Sequence, residues 1–178
     1  MKAGDPALRE FVKYLTAVHE LYPGGVPLGA LSVQEENICP TFVLHGTLPV
    51  KVLFVRTVAD PAATPYEHTE GQLLKAIVEK GLKLSTAGVA VLQRTNAMSS
   101  VELLREIKES AVSHVIFLGA DYLHILEEAG MNKSFGELLT CEQQRFMVTF
   151  SLNEILVDKK LKKLFWEHLQ LIIPELKE

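Results

Sequence analysis

The chain has 178 residues, which is enough for one domain with a substantial hydrophobic core. Its composition, 48% hydrophobic and 22% charged, is ordinary for a globular protein. The formal net charge of −4 weighs against a dedicated nucleic-acid binder, because such proteins usually carry an excess of Lys and Arg that neutralises phosphates.

The first 40 residues predict one helix followed by an irregular connection. Asp5 is a candidate N-cap with Pro6 at the first helical position, and apolar residues recur at helical spacing up to Tyr22. Prolines and glycines between Pro23 and Pro40 then interrupt any regular pattern. The N-terminus carries no apolar signal core, so we expect a cytoplasmic protein.

From residue 41 onward, strands and helices alternate. A short strand is predicted at 41–44, and four apolar, β-branched runs predict strands buried on both faces, at 50–55, 89–92, 114–118 and 146–150. Helices are predicted at 70–80, with Gly81 as the C′ residue, and at about 99–110, 119–130 and 159–173. This order predicts an α/β fold, a three-layer α/β/α sandwich with a central four-stranded, mostly parallel sheet. We expect a single domain over 1–178, with the α/β core at 41–178.

The common catalytic and metal-binding motifs are absent from the sequence. It contains no P-loop, no dinucleotide-binding glycine motif, no nucleophile elbow and no H-E-x-x-H. Cys39 and Cys141 are too far apart for a C-x-x-C pair, and the histidines are scattered, so we predict no metal site. No apolar run approaches the roughly 18 residues of a membrane span, and we expect no membrane partner.

Three segments of the core carry a family resemblance. The first is VLFVRTVAD at 52–60, followed by PYEHTEGQLLKAIV at 65–78. The second is VIFLGA at 115–120, and the third is TFSLN at 149–153, followed by FWEHL at 165–169. In this order they resemble the uracil-DNA glycosylase superfamily, especially the bacterial and archaeal branch that holds an iron–sulfur cluster. The resemblance covers about residues 51–173 and implies a fold of that type.

The resemblance also implies which residues form the site, and several depart from the family's pattern. The acidic residue that activates water falls on Thr57, which cannot act as a general base, and Asp60 is the nearest substitute. The aromatic ring that stacks on a flipped base falls on Tyr66, and the amide that reads the base falls on Gln93. The glycine that lets backbone approach the ligand falls on His68, whose side chain would fill the pocket.

The family's His-Pro-Ser motif falls on Ser151-Leu152-Asn153, so its histidine is absent. The cysteines that hold the iron–sulfur cluster are absent too, and the resemblance therefore implies no cofactor. The predicted pocket consists of Arg56, Thr57, Ala59, Asp60, Tyr66, His68, Gln93, Ser151 and Asn153.

Three hypotheses for the function follow. The first, which the lost catalytic residues favour, is an inactive uracil-DNA glycosylase-like protein that binds a protein partner as a binding or assembly module. The second is a divergent hydrolase of N-glycosidic bonds, in which Asp60 orients water, Tyr66 stacks and Gln93 reads the base. The third is a weak nucleic-acid binder without chemistry, which uses Lys159, Lys160, Lys162 and Lys163.

Overall fold

A computed structural model describes Lys13, Thr16, residues 40–132 and residues 134–176. The chain divides into two compact units, Met1–Ile38 and Cys39–Glu178. In the first unit Lys13 and Thr16 are helical and exposed. The rest of the predicted N-terminal helix and the connection up to residue 39 lie outside the described residues, and a single domain over 1–178 stays a prediction.

Six strands form one mixed sheet. They are β1 (Phe42–His45), β2 (Val52–Thr57), β3 (Val89–Arg94), β4 (His114–Leu118), β5 (Leu138–Cys141) and β6 (Gln144–Thr149). Their order across the sheet is β1-β3-β2-β4-β6-β5. Pairs among β3, β2, β4 and β6 are parallel, whereas β1 and β5 pair antiparallel at the two edges. The predicted α/β class is confirmed, but the sheet has six strands where the sequence predicted four.

The unpredicted strand, β5, has a physical reason for escaping detection. Leu138 and Leu139 are only half-buried, while Thr140 and Cys141 are exposed. Its residues therefore show neither a buried apolar run nor a clean alternation, which are the two patterns that indicate strands. The strand exists because its backbone pairs with that of β6.

The helices occupy the connections between the strands. They are α1 (His68–Ala76), which continues into a π-helical turn (Ile77–Leu82), α2 (Ser100–Glu109), α3 (Tyr122–Glu128), α4 (Leu152–Val157), α5 (Lys159–Gln170) and α6 (Ile173–Leu176). The patterns S-S-V-E at 99–102 and S-L-N-E at 151–154 each predict a capping box. Both are confirmed, because the hydroxyls of Ser99 and Ser151 accept from the amides of Glu102 and Glu154, whose carboxylates accept from the amides of the two serines. No helix in the described part of the chain is long and apolar enough to cross a membrane.

The end of the first helix differs from the prediction. Gly81 lies inside the π-helical turn, and Lys83, with φ 58°, takes the left-handed position that follows it. Glycine at position 81 serves a different purpose, since a Cβ there would lie 2.7 Å from the ring of Trp166. Close packing of an aromatic ring, and not backbone conformation, therefore favours glycine at this position.

Side chains of the strands alternate between two hydrophobic clusters, one on each face of the sheet. Val52 and Phe54 of β2 pack in the first cluster, with apolar residues of α1, α4 and α5. Leu53 and Val55 pack in the second cluster, with α2 and α3. Helices thus cover both faces, which explains why the inner strands are apolar along their whole length.

A half-buried carboxylate links the C-terminal helix to the sheet. Glu175 of α6 accepts a hydrogen bond from Nε2 of His114 at 2.8 Å and pairs with Nη1 of Arg145, also at 2.8 Å. Because a carboxylate only accepts, Nε2 of His114 carries the proton of its bond with Glu175. Nδ1 of His114 lies 3.0 Å from the hydroxyl of Ser113, which donates to the carbonyl of Lys51 at 2.9 Å. His114 is only 6% exposed, so the contact is shielded from water.

We predict that Glu175→Ala lowers the free energy of unfolding by roughly 1–3 kcal/mol, because it leaves the buried His114 ring without its acceptor. Urea unfolding measures this change. Glu79→Ala is the control, since Glu79 makes an exposed contact with Lys75 at 4.0 Å and its loss should change stability by less than about 0.5 kcal/mol. Equal losses in the two variants would contradict the role of Glu175.

Candidate functional site

An open pocket of about 510 Å³ lies beside the carboxyl ends of β2 and β3. Open α/β sheets commonly bind ligands at this edge. The loop after β2, the first turn of α1 and the helix α4 complete its walls. The pocket is lined by Arg56, Val58, Asp60, Ala63, Thr64, Glu67, His68, Thr69, Glu70, Gln93, Asn153 and Leu156.

The pocket contains some of the residues that the sequence predicted and not others. Its lining includes five predicted members, namely Arg56, Asp60, His68, Gln93 and Asn153. The four predicted members that are not among the lining residues are Thr57, Ala59, Tyr66 and Ser151.

Arg56 and Gln93 form the buried polar floor of the pocket. Arg56 is 8% exposed and Gln93 is fully buried. Nε of Arg56 donates to Oε1 of Gln93 at 2.9 Å, Nη2 donates to the same oxygen, and Nη2 also donates to the carbonyl of Pro65 at 3.2 Å. Burial lowers the pKa of Arg56, while the charge of Glu70, 3.9 Å from Nη1, opposes that shift.

The other end of the Gln93 amide holds the loop after β2. Its nitrogen donates to the carbonyls of Pro61 at 3.0 Å and Ala63 at 2.6 Å, which uses both of its protons. His45 Nε2 also lies 2.8 Å from the Pro61 carbonyl, which can only accept, so His45 carries its proton on Nε2. The amide predicted to read a base is therefore occupied at both ends by the protein itself.

His45 was missed by the sequence reasoning, which ended the first strand at residue 44, whereas β1 extends to His45. It ends β1 and contacts the loop 16 residues further along the chain. The pairing of β1 with β3 puts it beside Gln93, to which Nε2 lies at 3.1 Å. No spacing rule in the sequence links positions this far apart, and only the sheet order brings them together.

Asp60 lines the pocket but holds a turn. Its side chain is exposed, and Oδ1 accepts a hydrogen bond from the amide of Ala62 at 3.0 Å. This is the local Asx turn that Asp commonly forms before a change of chain direction. The remaining carboxylate oxygen is open to solvent, so the group can still contact a ligand or a water molecule.

Thr57 and Tyr66 do not occupy the positions that the resemblance implies for them. Thr57 lies on the opposite face of the sheet, where its hydroxyl is 2.8 Å from the hydroxyl of Tyr122. Tyr66 packs against the first hydrophobic cluster, and burial raises its pKa. Ala59 is exposed in the loop. Neither the side chain of Thr57 nor the ring of Tyr66 is therefore part of the pocket lining.

The start of α1 keeps two features of the matched motif. His68 has φ 59°, the left-handed conformation that favours glycine, although its side chain is exposed at the pocket mouth. Gly71 allows the helix to approach the loop closely, since a Cβ there would lie 2.5 Å from the backbone carbon of Tyr66. Backbone geometry thus fits a glycine-bearing motif even where the side chain has changed.

Ser151 and Asn153, the two site residues predicted from the third segment, differ in whether they are free to bind a ligand. The hydroxyl of Ser151 is engaged in the capping box with Glu154. Asn153, the second residue of α4, is exposed and lines the pocket. Of the two, only Asn153 therefore offers a free polar group to a ligand.

The pocket mouth is more acidic than the sequence reasoning suggested. Asp60, Glu67 and Glu70 contribute three carboxylates, against the single buried guanidinium of Arg56. Sequence reasoning missed Glu67 and Glu70, since it began this helix at residue 70, whereas α1 begins at His68 with Glu67 as its N-cap. Among the described residues no group of three or more His, Cys, Asp or Glu is arranged to hold a metal ion.

The four lysines of the third hypothesis are all exposed in the first half of α5. Lys163 lies 3.7 Å from Glu167, one turn further along the helix. Cations at a helix N-terminus are opposed by the helix dipole, so this cluster does not serve the helix itself. Its exposure satisfies the minimum requirement for contact with a phosphate backbone.

No protein-family model and no curated protein matches this chain. The resemblance to uracil-DNA glycosylases therefore stays a prediction that depends on the three sequence segments and on the residues described above.

We predict that His68→Gly raises the free energy of unfolding by up to about 1 kcal/mol. A left-handed residue other than glycine is strained by roughly 1–2 kcal/mol, and the greater freedom of glycine in the unfolded chain offsets part of the gain. Urea unfolding measures the change. His124→Gly in α3 is the control and should lose about 1 kcal/mol, because its position is an ordinary helical one. Destabilisation in both variants would refute strain at His68.

Burial raises the pKa of Tyr122 to about 12, with the Thr57 hydrogen bond and the charge of Arg94 opposing the shift. In the unfolded chain a tyrosine ionises near 10. Between pH 10 and 12 the unfolded state therefore loses a proton that the folded state keeps, so stability falls as pH rises, by at most roughly 1.4 kcal/mol per pH unit.

Urea unfolding between pH 9 and 12 tests this expectation. Tyr122→Phe should unfold with a shallower loss of stability over this range than the wild type, since it has no phenol to titrate. An unchanged pH slope in Tyr122→Phe would rule out the contribution of Tyr122.

Proposed function

We propose that this chain is a uracil-DNA glycosylase-like protein without glycosylase activity, which acts as a binding or assembly module in DNA metabolism. The observation that carries the proposal is the state of Gln93. Its amide is fully buried, and both of its ends are bonded to Arg56 and to the loop after β2. An amide in this state has no donor or acceptor left with which to read a base.

The fold and the three sequence segments support the family part of the proposal. Helices cover both faces of the sheet, and the pocket lies at the carboxyl end of the strand that carries the first segment. The backbone at His68 and Gly71 has the conformation and the close approach that suit glycines of such a motif.

The chemistry of the pocket supports the absence of catalysis. Thr57 has no carboxylate and lies on the other face of the sheet, and Ser151 is used in a helix cap. Loss of a positioned general acid or base typically slows a reaction by 10²–10⁴-fold. Because the amide of Gln93 is also occupied, we expect a rate of glycosidic-bond hydrolysis close to the uncatalysed rate.

Charge at the pocket mouth supports a protein partner over a DNA strand. Asp60, Glu67 and Glu70 contribute three carboxylates to the pocket lining, while the guanidinium of Arg56 is buried and lies 3.9 Å from Glu70. A phosphate backbone would be repelled at this mouth, whereas a basic side chain of a protein would be attracted. The exposed amide of Asn153 adds a polar contact for such a group.

One observation favours the alternative of a divergent N-glycosidic hydrolase. Asp60 lines the same pocket as Gln93 and Asn153, and one of its carboxylate oxygens is free to orient water. In that alternative Tyr66 would have to turn out of the hydrophobic cluster to stack on a base.

Release of uracil from single-stranded and double-stranded DNA, with the protein in molar excess, tests the proposal. We expect no release above the protein-free rate, for the wild type and for Asp60→Asn alike. Asn preserves the Asx turn at Ala62, so the variant removes the carboxylate without removing the loop contact. Release by the wild type that Asp60→Asn abolishes would overturn the proposal in favour of the hydrolase.

Partner capture tests the binding part separately. We expect one protein at equimolar ratio to co-purify with the wild type and to be lost with Asn153→Trp, which fills the pocket mouth. Asn132→Trp, at an exposed asparagine outside the pocket lining, is the matched control and should retain the partner. Absence of any stoichiometric partner would count against a binding module.

A further inference from the structure

Arg94, the last residue of β3, lies on the face of the sheet opposite the pocket. Successive residues of a strand point to opposite faces, so the side chain of Arg94 leaves the side that Gln93 occupies. Its register partner on β2 is Thr57, which also lies on this second face. Arg94 is 9% exposed, so its guanidinium sits directly below the surface.

The Arg94 guanidinium lacks the partners that a buried charge needs. Among the described residues, Nε and Nη1 of Arg94 are buried and have no hydrogen-bond partner. Leaving an ionised group buried without partners costs several kcal/mol, and native structures rarely tolerate it. Nε and Nη1 of Arg94 therefore need an acceptor that the described residues do not supply.

The contrast with Arg56 shows that the same sheet edge can satisfy a buried arginine. Arg56 lies at nearly the same level of the neighbouring strand, where an amide oxygen, a backbone carbonyl and a carboxylate surround it. No comparable group of acceptors among the described residues surrounds Nε and Nη1 of Arg94 on its own face of the sheet. The fold thus satisfies one arginine internally and leaves two donors of the other without a partner among the described residues.

The contacts of Arg94 hold it in place without using its donors. Its guanidinium carbon lies 5.5 Å from the centre of the Tyr122 ring, a cation–π distance. The Tyr122 hydroxyl is 2.8 Å from that of Thr57. Two hydroxyls that share one hydrogen bond retain one proton, so the pair offers a further donor beside the guanidinium.

We propose that Arg94, together with the Thr57–Tyr122 hydroxyl pair, forms a binding site for an oxyanion group, a phosphate or a carboxylate, on the second face of the sheet. The guanidinium is planar and donates to both kinds of group with matching geometry. The site lies at the carboxyl edge of the parallel strands, where α/β proteins commonly bind ligands. It shares no residue with the pocket lining, so it stands independently of the function proposed for that pocket.

Thermal unfolding of the full chain in inorganic phosphate and in acetate, at ionic strength held constant with sodium chloride, tests the site. We expect a saturable rise of the wild-type midpoint in at least one of these oxyanions, by about 3–6 °C at ten times the dissociation constant. A rise in phosphate alone assigns a phosphoryl group, and a rise in acetate alone assigns a carboxylate.

Arg94→Met removes the charge and keeps the length of the side chain. We expect no oxyanion-dependent rise in this variant, and a midpoint in chloride at least equal to that of the wild type, because the orphaned charge is gone. Arg105→Met, at an exposed arginine of α2, is the matched control and should keep the full rise. Equal rises in wild type and Arg94→Met, or no rise in the wild type, would overturn the proposal.

A second measurement applies if Arg94→Met does not fold. The Nε–H signal of Arg94 in wild-type NMR spectra, assigned with Arg94→Lys, should shift during titration with the oxyanion that stabilises the protein. The signals of Arg105 should stay in place. An unmoved Arg94 signal would overturn the proposal without recourse to the methionine variant.

Discussion

The buried contact between Arg56 and Gln93 is the constraint on which the carboxyl edge of the sheet depends. A guanidinium that is 8% exposed must find acceptors, and the amide oxygen of Gln93 supplies the main one. The amide nitrogen of Gln93 must in turn find acceptors, and the carbonyls of Pro61 and Ala63 provide them. Satisfying these polar groups fixes the loop after β2, and the shape of the pocket follows from the position of that loop.

This contact also limits what the pocket can do. An amide that holds the loop cannot recognise a ligand at the same time, so stability of the loop and recognition of a base compete for one side chain. In this protein the Gln93 amide is bonded to the loop and is not free for a ligand. Three of the predicted site residues in the pocket lining, Asp60, His68 and Asn153, remain exposed to a ligand.

Most of the core could be predicted from the sequence because its signals are local. Continuous apolar runs such as that of β4 indicate strands covered on both faces, and the capping boxes at Ser99 and Ser151 locate helix starts from four residues each. The edge strand β5 and the exit of α1 at Lys83 could not be predicted this way. The first depends on backbone pairing with β6. At the second, a lysine with φ 58° takes the left-handed conformation for which a sequence rule expects glycine.

For the site, the sequence alone was enough to place Arg56, Asp60 and His68 together, because β2, the loop after it and the start of α1 are contiguous in the chain. Gln93 and Asn153 come from separate elements, β3 and α4, and were placed there through the family resemblance. Tertiary structure alone decided which side chains remain free. Whether Thr57 faces the pocket depends on strand register, and whether Gln93 is available depends on contacts with Arg56 and His45 across neighbouring strands. The unpaired state of Arg94 was equally invisible in the sequence, since it depends on which residues of other elements reach its guanidinium.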